Sequence, residues 1–588
     1  MANFSAALRL TDLNDFIAPS QACVVTAQGQ RVGGGEQGVG AAGEVQLRGT
    51  GGGGFEQTRG GREGEAVKVT LHDCLACSGC VTTAETVMLE QQSAHHMLQH
   101  LPQRGAQGGE QGGQGDKVVV VSLSPQSRAA LAAHYKITPL QAFRKLTSYL
   151  HSLGVAAVFD TSASRDVALM EACHEFVHAF RCHAAATGHG NGPTGTVALN
   201  GHTATPRVSS SQVGGLAASE TAAAAASPAA AASSSAAAAA AAEQDRGRGV
   251  SASPPATPPP IPSDSLPQLP VLASACPGWV CYAEKAHGHY ILPHMSRVKS
   301  AQQTMGALLK RFYAAKLNTT ASQLFHVAVM PCYDKKLEAA RDDFVLEGVA
   351  GAGTKGEREA EGGGEKVTEV DCVLTSGEIF TLLQEQGVDF MALDERPLDT
   401  MLTNVDASGY LYGVAGGSGG YAETILRFAA NELFGVQLPP GPVAWQQVRN
   451  ADMLESTLDV GGQAVLRVAC AYGFRNIQNV LRKAKQGRCP YHYVEVMACP
   501  GGCLNGGGQR PPEQRKAQPT RSYLQDLEAH YMAQVDTCNP FDNPLAQAIF
   551  SHYLGAPLSP SAQAVLHTAF HARPKTLALS APTLAASW

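Results

Sequence analysis

Three cysteines fall within seven residues in Cys74-Leu-Ala-Cys77-Ser-Gly-Cys80, and this spacing constrains the chain more than any other feature. It lets one tight loop wrap an iron–sulfur cubane corner by corner. A cubane takes four thiolates, and Cys23, in LNDFIAPSQAC, is the remaining cysteine ahead of the first strand-rich region, so it is expected to be the fourth ligand. Zinc is the competing reading, although structural zinc more often uses separated Cys or Cys/His pairs. The chain carries 15 cysteines without a secretory signal, which favours metal ligands or buried thiols over a disulfide frame.

A second set is spread far wider. LPVLASAC (269–276), LFHVAVMPC (324–332) and YHYVEVMAC (491–499) each read as a buried strand that gives way to a loop at a cysteine, and Cys503 follows in CPGGC. In parallel α/β lobes the C-terminal ends of strands meet in one crevice, so Cys276, Cys332, Cys499 and Cys503 can converge on a single cluster. Gly501, Gly502 and the run Gly506 to Gly508 allow positive φ and a close backbone, so that peptide N–H groups can point at cluster sulfurs. Buried structural thiols are the bland alternative, and it suits any one of the four better than all four together. Cys173, Cys182, Cys281, Cys372, Cys470, Cys489 and Cys538 lack comparable spacing and are assigned no metal.

Strand and helix signals alternate, which predicts α/β lobes with parallel sheets. KVVVVSL (117–123) is a strand run; Thr138-Pro139 opens a helix through Leu153 that Gly154 closes, and VAAVFD is the next strand. VDCVLT (370–375) precedes a helix capped by Ser376 and stopped by Gly387, and VLRVACAYG (465–473) leads to a helix through Val480 and Leu481. Gly-rich stretches at 27–65 and 103–115, an Ala/Ser/Pro-rich stretch at 185–267 and a Gly/Glu-rich one at 348–366 read as disordered insertions. The expected division is 1–116 as an N-terminal iron–sulfur segment with Gly-rich insertions, 117–345 as a first lobe holding the 185–267 insertion, 346–369 as an insertion or linker, 370–515 as a second lobe, and 516–588 as a helical, peripheral tail.

A net charge of −6 leaves no electrostatic footprint for nucleic acid or an anionic membrane, so neither is an expected partner. The N-terminus carries Asp12 and Asp15 and no apolar core, and the alanine-rich run from Ala222 to Ala242 is broken by Ser227 and Pro228; the chain reads as soluble, without a targeting segment. Gly351-Ala-Gly353-Thr-Lys-Gly356 matches a dinucleotide-binding pattern, but no strand precedes it, and no phosphate-binding GxxxxGK[ST] occurs. The helix around Arg475, Arg482, Lys483, Lys485 and Arg488 reads as a solvated basic face with cations toward its C-terminal end.

The wording of three segments is itself recognisable. SACPGW (274–279), MPCYDKKLE (330–338) and VEVMACPGGCLNGGGQ (494–509) resemble, in chain order, the active-site motifs of iron-only hydrogenases. LNDFIAPSQAC, CLACSGC, FDTSASRD (159–166), CYAEKAHG (281–288) and DCVLTSGEI narrow the resemblance to the hydrogenase-like proteins of cytosolic iron–sulfur assembly, relatives of the nuclear prelamin A recognition factor. The resemblance implies an α/β fold of two parallel-sheet lobes of the hydrogenase large-subunit type, with an N-terminal cluster-binding segment, a helical C-terminal tail and low-complexity insertions. It also implies two [4Fe–4S] clusters: one on Cys23, Cys74, Cys77 and Cys80, the other on Cys276, Cys332, Cys499 and Cys503, which match the ligands of the hydrogenase cubane.

Cys503 matches the thiolate that also bridges to a diiron unit, and Lys335 the lysine that contacts the cyanide ligands of that unit. Hydrogenases place two adjacent cysteines in the first motif, and the first of them exchanges protons near the reactive iron. Here that position is Ala275, whose methyl group cannot relay a proton. The resemblance therefore implies no enzyme but an adaptor of cytosolic and nuclear iron–sulfur assembly, linking early scaffold proteins to the targeting complex, with cytoplasmic and nuclear localisation. Trp588 resembles the family's C-terminal docking signal for that complex, although Ala586 departs from its aliphatic first position. The competing readings are an iron-only hydrogenase or other redox enzyme, and a prelamin-binding nuclear adaptor.

Overall fold

The computed structural model describes residues 92–102, 117–187, 266–346, 367–509 and 520–572. Cys23, Cys74, Cys77, Cys80, the Gly-rich stretches, most of 185–267, all of 348–366, Ala586 and Trp588 lie outside the described residues.

The chain runs in order through helix α1 (Ala94–Gln99), strand β1 (Val118–Leu123), α2 (Pro125–Tyr135), α3 (Pro139–Leu153), β2 (Ala157–Asp160) and α4 (Thr161–Ala186). After residue 266 come β3 (Val271–Ala273), α5 (Pro277–Ile291), α6 (Ala301–Leu308), β4 (Leu324–Met330) and α7 (Asp334–Ala339). Then follow β5 (Cys372–Thr375), α8 (Ser376–Glu385), β6 (Leu411–Gly413), α9 (Tyr421–Phe434), β7 (Gln446–Gln447), β8 (Met453–Val460), β9 (Gln463–Tyr472), α10 (Phe474–Lys485) and β10 (Tyr493–Met497). The C-terminal segment adds α11 (Thr520–Tyr531), β11 (Val535–Thr537), α12 (Pro544–Ile549) and α13 (Pro560–Leu566).

Local chemistry sets these boundaries where the sequence places them. Thr138 and Gln141 form a reciprocal capping box at the start of α3, and Gly154 ends the helix at φ +103°, a conformation costly for any residue with a Cβ. At α8 the cap is Thr375 rather than the expected Ser376: its hydroxyl accepts from Glu378 N while the Glu378 carboxylate returns to Thr375 N, and Ser376 becomes the first helical residue. No described helix is long and apolar enough to cross a membrane.

One four-stranded sheet has the order β2-β1-β4-β5, all parallel, and a five-stranded sheet has the order β3-β10-β9-β8-β7, parallel from β3 to β9 and antiparallel beyond. Two strands therefore cross the boundary drawn from sequence. β3, read as part of the first lobe, pairs with β10, and β5, read as the start of the second, pairs with β4. A strand-then-helix pattern fixes which residues are buried, whereas the partner of a parallel strand is chosen by contacts far away in the chain.

Helix α4 lies between the sheets. Val167 and Met170 join the core under the first sheet, with α6 and the C-terminal helices, while Leu169, Cys173 and Phe176 join the core under the second, with α9. Its first part, to Glu175, has no solvated side for its charges, and each of them finds a partner in another segment. Arg165 donates to Tyr531 Oη at 2.9 Å; Asp166 accepts from Asn404 Nδ2 at 2.9 Å and Asn543 Nδ2 at 2.8 Å. Glu171 accepts from Leu558 N at 3.0 Å and lies 2.7 Å from His567 Nε2; Glu175 accepts from Ser296 Oγ and Arg297 N.

Most of these partners lie beyond residue 520, so the C-terminal segment is helical as expected but not peripheral. Leu527, Ile549, Leu554 and Leu566 are fully buried, and β11 pairs with β6. Its apolar positions are too scattered to announce a buried segment; they act because α2, α4 and α6 present matching faces. Replacing Asp166 by Ala would leave the Arg165 charge and two buried amides short of an acceptor. It is expected to destabilise the fold by about 3–5 kcal/mol, read as a lower urea midpoint, with Asp166→Asn costing less.

Candidate metal centre

The cysteine that follows β3 is fixed by its neighbour. Ser274 Oγ donates to Val496 O at 2.5 Å across to β10 and accepts from Cys276 N at 3.0 Å, which holds Cys276 at the mouth of the sheet. Cys276 then serves as the N-cap residue of α5, with Pro277 in the first turn, where a missing N–H costs nothing. Cys332 lies two residues past the end of β4, and Cys499 two past β10. Cys276 and Cys332 are 8% and 9% exposed, whereas Cys499 and Cys503 keep somewhat more surface.

The CPGGC loop turns back on itself through Gly501 and Gly502, each at φ +71°. A side chain at Gly502 would also overlap Ser418 Oγ, the hydroxyl that accepts from Cys503 N at 3.1 Å. Beyond the turn, Gly508 N donates to Pro331 O at 2.9 Å and Gly508 O accepts from Gly377 N at 2.7 Å. The third motif is thus laid across the ends of β4 and β5, and in this way Cys499 and Cys503, which follow a strand of one sheet, reach Cys332, which follows a strand of the other.

The four thiols sense one another. Burial pushes the Cys332 thiol well above its ordinary range, and Asp334, Cys499 and Cys276 push it further. Burial, and then Cys276, takes Cys503 up to about 12, with Lys335 opposing; burial and Asp334 raise Cys276. Four thiolates in this space need a cation to offset them, which is what a metal group supplies when it deprotonates its ligands. Backbone donors already face the sulfurs: Ala498 N lies 3.4 Å from Cys276 Sγ and Asp334 N 3.4 Å from Cys332 Sγ. Among the described residues no three His, Cys, Asp or Glu side chains are arranged to hold a single metal ion. The four-thiol donor set and the N–H groups that face two of the sulfurs fit an iron–sulfur cubane.

Around the thiols lie further groups, of which Asp334 and Ser418 were given no role from the sequence. Asp334 is 4% exposed, its Oδ2 has no hydrogen-bond partner among the described residues, and burial raises its carboxyl to about 6. Gly278 is required beside it, since a Cβ there would come within 2.6 Å of Asp334 Oδ2. Lys335, also buried, pairs with Glu338 at 2.8 Å. Ser418 sits in the run Gly416-Gly-Ser-Gly-Gly420, whose glycine density was the available signal. Ala275 packs as a small apolar residue against both cores of the second sheet. Cys173, Cys372 and Cys470 are buried. The first cysteine set and the Gly351–Gly356 pattern lie outside the described residues; the N-terminal side ends at Gln92, whose carbonyl accepts from Lys336 Nζ, four residues after Cys332.

The model for the C-terminal domain of the iron-only hydrogenase large subunit matches residues 117–190 and 264–507, and that for the iron hydrogenase small subunit matches 531–573. Two structures of [FeFe]-hydrogenase HydA1 from Chlamydomonas reinhardtii superpose with a TM-score of 0.56 at 22% and 23% identity, over 82% and 81% of this chain and 99% and 98% of theirs. The architecture is that of the hydrogenase large subunit.

Protein NAR1 of Arabidopsis thaliana is 44% identical, covering 97% of this chain and 96% of its own. The cytosolic iron-sulfur assembly component 3 of Pongo abelii is 39% identical, and the cytosolic Fe-S cluster assembly factor narfl of Xenopus tropicalis 37%, each over 97% of both chains. The chain belongs to the iron-only-hydrogenase-like family of cytosolic iron–sulfur assembly components.

Gly502→Ala, which meets both the φ strain and the overlap with Ser418, is expected to lower the melting temperature and make Cys503 more readily alkylated in the metal-free protein. Gly487→Ala is its control: φ there is +63°, but nothing lies within 4 Å, so only the modest strain of about 1 kcal/mol applies.

Proposed function

We propose that the protein is a non-catalytic iron–sulfur adaptor of cytosolic and nuclear iron–sulfur assembly that carries two [4Fe–4S] clusters and links early scaffold proteins to the targeting complex. What supports this is that Cys276, Cys332, Cys499 and Cys503 follow strand ends of two sheets and that Cys332 feels Cys276 and Cys499 while Cys503 feels Cys276, with Ala275 where a hydrogenase has its proton-exchanging cysteine. A cubane accepts one thiolate at each of its four iron corners and so suits a set of four cysteines. Its chemistry when bound is to hold or pass one electron, or to be handed on. Ala498 N and Asp334 N orient and stabilise the thiolate forms of Cys276 and Cys332. Cys23, Cys74, Cys77 and Cys80 hold the second cluster in this reading, which rests on their spacing and on family membership. The names of the relatives support a cytosolic place of work.

The hydrogenase reading keeps one observation in its favour, the buried Lys335 whose charge is felt at Cys276 and Cys503. One preparation decides between the two. Anaerobically reconstituted protein should hold about eight irons and eight acid-labile sulfides per chain and should evolve no hydrogen from a reduced dye, even when produced alongside hydrogenase maturation factors. Zinc in place of iron, or about four irons, would remove a cluster from the proposal. Hydrogen turnover would restore the enzyme. Cys276→Ser or Cys503→Ser should cost more soluble protein than Cys23→Ser, because the former pair would share a metal group with Cys332, which follows a strand of the other sheet.

Trp588 is assigned the docking role for the targeting complex, as an indole beside a carboxylate that a pocket can capture. Removing Trp588 should leave iron and sulfide unchanged while weakening binding to the purified targeting complex at least tenfold, about 1.4 kcal/mol, and Ala586→Leu should tighten it. Equal calorimetric titrations for the three proteins would withdraw the assignment.

A further inference from the structure

Helices α5 and α10 lie side by side and point the same way. Near their N-termini the Tyr282 ring meets Phe474 at 5.1 Å, and near their C-termini Lys485 Nζ lies 5.2 Å from the Tyr290 ring. Both helices begin at the cysteine site: Cys276 caps α5, and Gly473, just before α10, donates to Met497 O at 2.9 Å and stands against Pro500. α10 buries Ile477, Val480 and Leu481 and turns Arg475, Arg482 and Lys485 to solvent, one stripe at helical spacing that Arg488 extends.

The charge on this face is of one sign. From Phe474 to His492 the chain has five Lys and Arg and no Asp or Glu; the single acid of α5, Glu284, is 1% exposed and held by Arg341 at 2.8 Å. None of Arg475, Arg482, Lys483, Lys485 and Arg488 forms an ion pair with a described residue, and the nearby Glu455 accepts instead from Tyr491 Oη. Stability of the helix explains only part of this. Cations in the last turn favour the helix dipole, but Arg475 is in the first turn, where a cation opposes it.

We infer that this stripe is a docking surface for a protein with a carboxylate-rich face that works at the neighbouring cysteine site. The chain as a whole carries −6, so the stripe is a local reversal of sign, able to steer and orient an acidic partner. A nucleic acid would want a basic field over the whole domain, and a membrane would want apolar side chains among the bases, whereas the solvent side of α10 offers Arg475, Gln478, Asn479, Arg482 and Lys485. That the partner works at the cysteines rests on the function proposed above; the charge argument does not.

The test uses the full chain with its metal and the triple variant R475E/R482E/K485E, all three positions exposed and outside the cysteine site. With poly-L-glutamate as probe, calorimetry at about 50 mM salt should show binding to the wild type that weakens about tenfold in the variant and is lost near 300 mM. Zero-length carbodiimide coupling in a soluble extract should join Lys483 or Lys485 of the wild type to Asp or Glu of a protein identified at the linked residue, and the variant should lose the link. Equal iron in both proteins separates a failure of docking from a failure of the cluster reading. Equal polyglutamate binding, coupling spread over unrelated lysines, or preferential binding of the wild type to duplex DNA or phosphatidylserine vesicles would each overturn the inference.

Discussion

Four thiols at the ends of strands from two sheets, two of them buried and two half-buried, cannot all ionise unless something positive sits among them. Cys276, Cys332 and Cys503 are each raised by burial and further by neighbouring acidic groups, so without a metal group these three favour the neutral thiol. Much of the surrounding structure answers that constraint. Ser274 bridges β3 to β10, the glycines of the third motif let its loop cross to β4, and backbone N–H groups face two of the sulfurs. Metal binding in such a site is coupled to folding, since the unfolded chain cannot gather these ligands.

The second organising element is α4, which reaches both sheets and brings Arg165, Asp166, Glu171 and Glu175 into the interior. Buried charge is weak evidence for stability but strong evidence for specificity when every group has one well-placed partner. Here the partners come from Asn404, from Ser296 and Arg297, and from Tyr531, Asn543, Leu558 and His567. The segment beyond residue 520 is thereby locked to the cysteine-bearing body. The part that resembles the hydrogenase small subunit, 531–573, thus supplies Tyr531, Asn543, Leu558 and His567 to a helix within the part that resembles the large subunit.

Legibility in the sequence followed the range of the interaction. The strands that precede Cys276, Cys332 and Cys499 were readable because runs of three to seven mainly apolar residues before a loop carry their own signal, and α3 was readable from its Thr138-Pro139 start to Gly154. The cap of α8 was misplaced by one residue because Thr375 and Ser376 are both competent caps, and only the return of the Glu378 side chain chooses between them. Asp334 and Ser418 could not be assigned a role from sequence: one matters through burial beside Cys332 and Lys335, the other through a turn 85 residues away.

By itself, then, the sequence determined residue chemistry and local conformation: which cysteines can be ligands, where strands end, which glycines must turn, and that Ala275 offers no proton. Tertiary structure decided the partners. It exchanged β3 and β5 between the expected lobes and buried a tail whose apolar residues looked sparse. Hydropathy and torsional preference are properties of a few neighbouring residues and survive in a linear reading. Strand pairing and charge compensation are settled between segments hundreds of residues apart, where the energy depends on what else is buried at the same point.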